Sequence, residues 1–218
     1  MNGSSLRDLN IILASQSPRR RELLARTGLS FTVHPASDKE VTEETEPARI
    51  VEALAAHKAR EVYEKVYENA AHPLLVIGAD TVVVIHGQIL GKPESREHAA
   101  EMLRLLSGAS HEVLTGVCLI EESLGAEGGI TAHERIFHEC TRVFFRKLTE
   151  EEIRGYIASG EPMDKAGAYG IQGLASVFVD HIEGDYDNVV GFPLTRVMKE
   201  AEALHASVKG EGRHASVL

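Results

Sequence analysis

The sequence predicts an α/β fold built on a mixed sheet, and three observations carry that prediction. Leu74 to Ile85, Leu-Leu-Val-Ile-Gly-Ala-Asp-Thr-Val-Val-Val-Ile, is an aliphatic run bounded by Pro73 and His86-Gly87. It has the pattern of strand buried on both faces, on either side of Gly78-Ala79. Strand-like and capped-helix segments alternate along the chain without a strict βαβ cadence, so parallel and antiparallel pairing are both expected. Finally, 218 residues with 43% hydrophobic content can bury a proper core, as one domain or two closely joined lobes.

Asn10 to Ala14 reads as a short apolar strand. Ser15-Gln16-Ser17-Pro18 then turns the chain into a helix from about Pro18 to Thr27, with Ser17 as N-cap, Pro18 at the first helical position and Gly28 just past the end. Phe31 to Pro35 reads as a second strand and Ala36 to Glu46 as an acidic loop. The helix from about Pro47 to Tyr67 carries Ile50, Leu54 and Val62 on one stripe, with Lys58 in the missing place on that face. The aliphatic run reads as a hairpin-like unit ending in Ile89-Leu90-Gly91-Lys92-Pro93. Ser95 caps a helix to Leu106, closed by Gly108. His111 to Ile120 and Ile136 to Phe145 read as paired strands joined by a Gly- and Glu-rich surface loop, Glu121 to Glu134. Thr149 and Glu152 form a capping box for a helix ending near Ser159-Gly160. A Gly-rich polar stretch, Glu161 to Gly173, precedes a strand from Ala175 to Ile182, a turn at Glu183-Gly184-Asp185 and a last helix from Pro193 to Leu204. One domain thus spans residues 1–205, and the polar segment 206–218 reads as a flexible tail.

The net charge of −10 argues against a nucleic-acid backbone as main partner, whereas a small anionic substrate needs only a local surplus of cations. No apolar run approaches the roughly 18 to 20 residues of a bilayer span, and Met1 to Asn10 lacks the apolar segment of a signal peptide. The expectation is a cytoplasmic protein without a membrane partner. Cys118 and Cys140 lie inside strand-like runs and read as reduced, buried thiols. The eleven histidines form no HxxH or Cys/His pair at ligand spacing and read mostly as surface residues. Gly91-Lys92 is no P-loop, since His86 stands where the first glycine belongs and Pro93 replaces the Ser/Thr. Gly167, Gly170 and Gly173 are spaced by three and give no dinucleotide-binding fingerprint.

Asp80 is the one carboxylate in the aliphatic run, where charge is costly without a cation, hydrogen-bond donors or a wet groove. A turn cap at a strand end is the competing reading. Ser15-Gln16-Ser17-Pro18-Arg19-Arg20-Arg21 places two hydroxyls, helix N-terminal amides and three guanidinium groups within one turn, the chemistry of a phosphate site. An ordinary capped helix with solvated arginines is the alternative, although three cations at the positive dipole end are unfavourable without an anion. Lys58 and Lys92 are weak signals singly. In Met163 to Gly173 the small residues permit close backbone approach to a ligand, while Tyr169 can stack on a base and Gln172 can hydrogen-bond one.

Five segments in order, Ser15-x-Ser17-Pro18-Arg19-Arg20, Gly78-Ala79-Asp80-Thr81-Val82-Val83, Gly91-Lys92-Pro93, Asp164 to Gly173 and Asn188 to Pro193, resemble the Maf family of nucleotide pyrophosphatases. The resemblance runs from about Leu9 to Leu204, and Asp-Lys-Ala-Gly-Ala-Tyr-Gly-Ile-Gln-Gly is similar to the branch acting on dTTP and UTP. It implies an elongated mixed sheet flanked by helices, in two lobes with a central cleft, like that of the inosine triphosphate pyrophosphatases. It also implies a homodimer and a divalent cation, magnesium first, with manganese or cobalt as alternatives. The position matching Asp80 is the family's catalytic base, and those matching Arg19, Thr81 and Gln172 set nucleotide choice. By the same resemblance Glu40, Lys58 and Lys92 contribute charge to the cleft, and Asp80 with Glu40 holds the metal. Ser15, Ser17, Arg20 and Lys165 complete the expected substrate contacts.

The implied reaction cleaves a nucleoside triphosphate between the α and β phosphates, giving a monophosphate and pyrophosphate. Magnesium would be held by one or two carboxylates plus waters. An aspartate is a feeble base at neutral pH, so Asp80 is expected to deprotonate water already acidified by the metal. Arg19, Lys58 and Lys92 would stabilise phosphate charge. Two other readings stand beside this one: a nucleotide-sensing module linked to cell division, and a house-cleaning pyrophosphatase for modified nucleotides.

Overall fold

The aliphatic run becomes the central strand of the sheet. The computed structural model describes residues 5–38, 41–124 and 129–214. In chain order it contains β1 (Asn10–Ala14), α1 (Pro18–Ala25), β2 (Phe31–Val33), α2 (Pro47–Val66), β3 (Leu74–Ile85), β4 (Gln88–Leu90), α3 (Arg96–Leu106) and β5 (Ser110–Leu124). There follow β6 (Ile130–Phe145), α4 (Glu150–Ala158), three short 3-10 turns between Glu161 and Phe178, β7 (Val179–Glu183), α5 (Tyr186–Val190) and α6 (Leu194–His214). The seven-stranded sheet has the order β2-β1-β3-β5-β6-β7, with β4 added to β3. Pairing is parallel among β2, β1 and β3 and antiparallel elsewhere, so the sheet is mixed as expected. It is also elongated, since β5 and β6 run for 15 and 16 residues.

The crossovers decide which helix covers which face. The chain leaves β1 outward to β2 through α1, then returns across β1 to β3 through α2. Right-handed crossovers in opposite directions put their helices on opposite faces. Accordingly Leu23 and Leu24 of α1 pack with Leu13, Leu75, Ile77, Val83 and Ile85, while Ala55, Ala59 and Val62 of α2 pack with Ile12, Leu74 and Val76. Successive β3 residues point to opposite faces. Val82 and Val84 therefore join Val51 of α2 in a small cluster on its side of the sheet.

The buried stripe of α2 is Val51, Ala55, Lys58, Ala59 and Val62 rather than the expected Ile50-Leu54 line, both of which are half-buried. The cause is close approach. A Cβ on Gly78 would lie 2.3 Å from the Ala55 carbonyl oxygen, and one on Gly116 would lie 2.2 Å from that of Val51. With glycine in β3 and β5 the helix backbone rests on the sheet, so small side chains face inward.

Four further expectations are corrected. Glu121 to Glu134 is not a surface loop: residues 121–124 and 130–134 extend the β5–β6 ladder, and residues 125–128 lie outside those described. Glu121 and Glu122 are buried because His205 Nδ1 meets Glu121 Oε1 at 2.5 Å and His72 Nδ1 meets Glu122 Oε2 at 2.6 Å. These buried carboxylates have partners that lie far away in sequence. The strand expected from Ala175 begins only at Val179, because Leu174–Phe178 is a 3-10 turn exposing Leu174 and Val177. The last helix runs to His214, ten residues past the expected end at Leu204, with buried Val208 anchoring the extension. Lastly, both cysteines are free, but Cys140 is exposed rather than buried; His111 and His205 are buried exceptions among histidines expected mostly at the surface.

His111 supports the Gly-rich segment from beneath, its Nε2 lying 2.8 Å from Tyr169 Oη. Burial pulls its pKa down to about 4, whereas in an unfolded chain it titrates near 6.5. The unfolded state therefore binds the extra proton first, and this contribution is complete above about pH 6.5 and lost as pH falls towards about 4. Its size is of the order of 3 kcal/mol. Replacing His111 with glutamine should flatten the fall of unfolding free energy between pH 7 and 5. An unchanged slope would show that His111 does not titrate in this way.

Candidate active site

The pairing register leaves a gap in the middle of β3. β1 ends with Ala14 opposite Gly78, and β4 ends with Leu90 opposite Val83. Between them Ala79 to Val82 have a strand on the β5 side only. The five steps from Gly78 to Val83 span roughly 17 Å at the usual rise per residue. Both flanking strands end at this gap, so Ser15 to Arg20 emerges on one side and Gly91-Lys92-Pro93 on the other. β1 is also where the crossovers change direction, and crevices at the carboxyl ends of strands beside such a point are the usual ligand sites of α/β sheets.

Asp80 and Thr81 occupy the gap and point to opposite faces. Asp80 faces α2, and its Oδ1 accepts from Lys58 Nζ at 2.7 Å; both side chains are nearly buried. Lys58 thus completes the α2 stripe as the partner of the one carboxylate in β3. Thr81 faces the other way. Its Oγ1 accepts from Arg20 Nη2 at 3.0 Å and lies 3.0 Å from Thr115 Oγ1, which donates to the Asn188 carbonyl at 3.2 Å.

The two arginines at the start of α1 have different surroundings. Arg20 Nη1 donates to the Ala79 carbonyl at 2.8 Å and to Ser15 Oγ at 3.3 Å, and its Nε donates to the Gly191 carbonyl at 2.9 Å. It ties together the ends of three motif segments. Ser17 Oγ caps α1 by accepting from Arg20 N at 3.4 Å, and Ser15 Oγ accepts from Ser17 N at 3.2 Å, so both hydroxyls shape the turn. Arg19 instead reaches outward, its Nη1 lying 3.3 Å from Asp164 Oδ2, while Asp164 Oδ1 accepts from Lys165 Nζ at 2.7 Å. Burial alone would raise the Asp164 pKa, but Lys165 and Arg19 outweigh it and hold the carboxyl below its usual range. A carboxylate bridging two cations stands where a phosphate oxygen could bridge them.

Arg19→Ala should therefore raise the KM for a nucleotide substrate at least about tenfold, as loss of a charge-assisted contact does. Arg26→Ala, which removes an exposed contact to Asp187 near the far end of α1, should change KM less than about twofold. Equal effects would return Arg19 to the role of a solvated helix residue.

The Gly-rich segment is docked beside Arg19. Gly167 N donates to the Gly91 carbonyl at 3.0 Å, and the positive φ of Gly167 (68°) lets its backbone sit on Val83. A Cβ there would come within 2.9 Å of the Val83 side chain. Lys92, which follows Gly91, and Gln172, five residues on from Gly167, are both exposed. The structure thus places Ser15, Ser17, Arg19, Arg20, Thr81, Lys165 and Gln172 with the face opposite Asp80 and Lys58, and the gap in β3 is where the two faces communicate.

Glu40 lies outside the described residues. Asp38, two residues before it, is held at α2: Glu61 Oε2 accepts from Asp38 N at 3.2 Å and Oε1 accepts from Ser37 N at 2.7 Å, one turn along from Lys58. Burial by itself would raise the Glu61 carboxyl, but Lys65 and these amides hold it down to about 2. Asp80 fits a divalent cation. One of its oxygens is engaged by Lys58, and among the described residues the other carries no hydrogen bond at a partly open position, which suits a divalent cation. Asp38, His57 and Glu61 also bring ligand atoms within 4.8 Å of one another, but Lys65 already donates to both carboxylates there. That cluster reads as the anchor of the Ala36 to Glu46 loop. Sequence patterns missed it because its members come from a loop and a helix.

Comparison with known proteins follows the same segments. A family model described as Maf-like protein matches residues 10–204. A dTTP/UTP pyrophosphatase of Moorella thermoacetica is 51% identical over 188 residues, covering 86% of this chain and 91% of that protein. One of Thermococcus onnurineus is 50% identical over 192 residues, covering 88% and 96%. Among solved structures, a HAM1 protein from Coxiella burnetii aligns with 89% of this chain and 99% of that one, at 15% identity and a TM-score of 0.46. The family match takes in all five segments that border the gap in β3, and the chain belongs to the Maf-like protein family.

Proposed function

We propose that the protein is a nucleoside triphosphate pyrophosphatase that cleaves dTTP and UTP to the monophosphate and pyrophosphate. The observation that carries this reading is the gap in β3, bordered on one face by an aspartate held by a lysine and on the other by a helix start bearing Arg19, with the turn bearing Lys92 at its edge. The close relatives named dTTP/UTP pyrophosphatase support the same substrate class.

In this reading the base lies by Gln172 and the phosphates run past Arg19 and Lys165 towards Asp80. Lys58 orients the Asp80 carboxylate, which takes the proton of the attacking water. Arg19, Lys58, Lys92 and Lys165 offset the polyanion and the charge gathering on the departing pyrophosphate. A divalent metal held by Asp80, with Glu40 as second carboxylate, would supply further charge neutralisation and a more acidic water. Arg20 and Thr81 act on the nucleotide by fixing the α1 turn. The family also carries the proposals of a homodimer and of a cytoplasmic enzyme; among the described residues no helix is long and apolar enough to cross a membrane.

A carboxamide offers a donor and an acceptor, which suits the O4 and N3–H edge of uracil and thymine. A site built on that edge rejects the inverted edge of cytosine, because buried polar groups are left unpaired. Pyrophosphate release from a nucleotide panel should therefore rank dTTP and UTP, within about tenfold of each other, well above CTP, ATP and GTP. Comparable cleavage of CTP, or a preference for 7-methyl-GTP, would contradict the base assignment.

A further inference from the structure

Gln172 stands on a turn that is gripped at both ends by two residues outside the five motif segments. Gly173 N donates to the Gly170 carbonyl at 3.1 Å, placing Ile171 and Gln172 at the corners, the first buried and the second exposed. At the entry, Gly170 N donates to Tyr156 Oη at 3.2 Å, and that hydroxyl donates to Glu161 Oε1 at 3.1 Å. At the exit, Leu174 N donates to Glu161 Oε2 at 3.1 Å. The Glu161 carbonyl accepts from Lys165 Nζ at 2.6 Å. The fit is close: a Cβ on Gly173 would lie 2.0 Å from Glu161 Oε1, and one on Gly170 would lie 2.6 Å from Lys165 Cε. Tyr156 is buried, and burial pushes its phenol well above its ordinary pKa, so it stays protonated and both donates and accepts. A carboxylate is an acceptor at both oxygens and matches the two donors aimed at it, a phenol and an amide.

We propose that Glu161 and Tyr156 are positioning residues for base recognition: by clamping the Gly170 to Leu174 turn they set the reach of the Gln172 carboxamide, and hence the choice of uracil or thymine over cytosine. The proposal rests on Gln172 reading the base, as argued above. Neither residue needs to touch the nucleotide. Glutamine at 161 can keep its carbonyl on the Leu174 amide but turns an NH2 towards Tyr156, so it should retain part of the clamp; alanine should retain none.

The test is kcat and KM for UTP and CTP in the unaltered enzyme and in Glu161→Ala, Glu161→Gln, Tyr156→Phe and Gln172→Ala. The ratio of kcat/KM for UTP to that for CTP should fall at least about tenfold in Glu161→Ala and by an intermediate factor in Glu161→Gln and Tyr156→Phe. Should Glu161→Ala fail to fold, the two variants that exchange or remove a single polar atom carry the test. A ratio that stays constant in those two, with kcat/KM falling equally for both nucleotides, overturns the clamp while leaving Gln172 in place. A constant ratio in Gln172→Ala overturns the base assignment and the clamp with it.

Discussion

Replacing Asp80 with asparagine should lower the turnover of dTTP by at least about 100-fold, the scale of a lost general base. Asparagine has the same shape, and its carbonyl can still accept from Lys58, which now donates to Asp80 Oδ1 at 2.7 Å. What is lost is the charge and the basicity. The strand itself should be untouched, because Asp80 hydrogen-bonds through its backbone to the β5 ladder opposite Gly116. Steady-state kinetics and a melting curve separate the two effects. Turnover within about threefold of the unaltered protein would remove Asp80 from the chemistry.

The second large effect is on the fold. Gly78→Ala should cost about 3 kcal/mol or more of unfolding free energy, beyond ordinary overpacking, because its neighbours are backbone. The added Cβ would lie 2.3 Å from the Ala55 carbonyl oxygen and 2.8 Å from Ala59 N, so α2 must lift from the sheet. Lifting α2 also draws Lys58 away from Asp80, so turnover should fall in whatever fraction remains folded. Gly155→Ala is the control, since nothing lies within 4 Å of its Cβ. In helix α4 it should be neutral or stabilising by up to about 1 kcal/mol. Denaturant titration of both variants decides the matter, and equal stabilities would mean that α2 does not rest on Gly78.

What the sequence made legible was chiefly what is local. Ser17 and Pro18 start α1, Thr149 and Glu152 close a capping box, and the aliphatic run is the central strand, each decided by neighbours within a few residues. The site motifs were readable for the same reason, as short segments at strand ends. The misreadings share a cause of the opposite kind. Glu121 and Glu122 looked like loop residues because the histidines that hold them lie 84 and 50 residues away. On α2, Val51 and Ala55 replaced Ile50 and Leu54 on the buried stripe, while Lys58 and Val62 kept their expected places, because the glycines that draw the helix in belong to other strands. That the Arg20 guanidinium bonds carbonyls of β3 and of the segment after α5 was likewise beyond a local reading. Strand alternation puts Asp80 and Thr81 on opposite faces, but which face belongs to α2 and which to α1 is decided by the crossovers.

If the gap in β3 is the reaction centre, a nucleoside triphosphate is cut there between its α and β phosphates. The most direct measurement is phosphorus NMR of the products formed from dTTP with magnesium, run beside the Asp80→Asn variant. The unaltered enzyme should give dTMP and pyrophosphate in equal amounts, and the variant should leave dTTP nearly intact. Formation of dTDP and inorganic phosphate, or equal product from both proteins, would contradict that assignment.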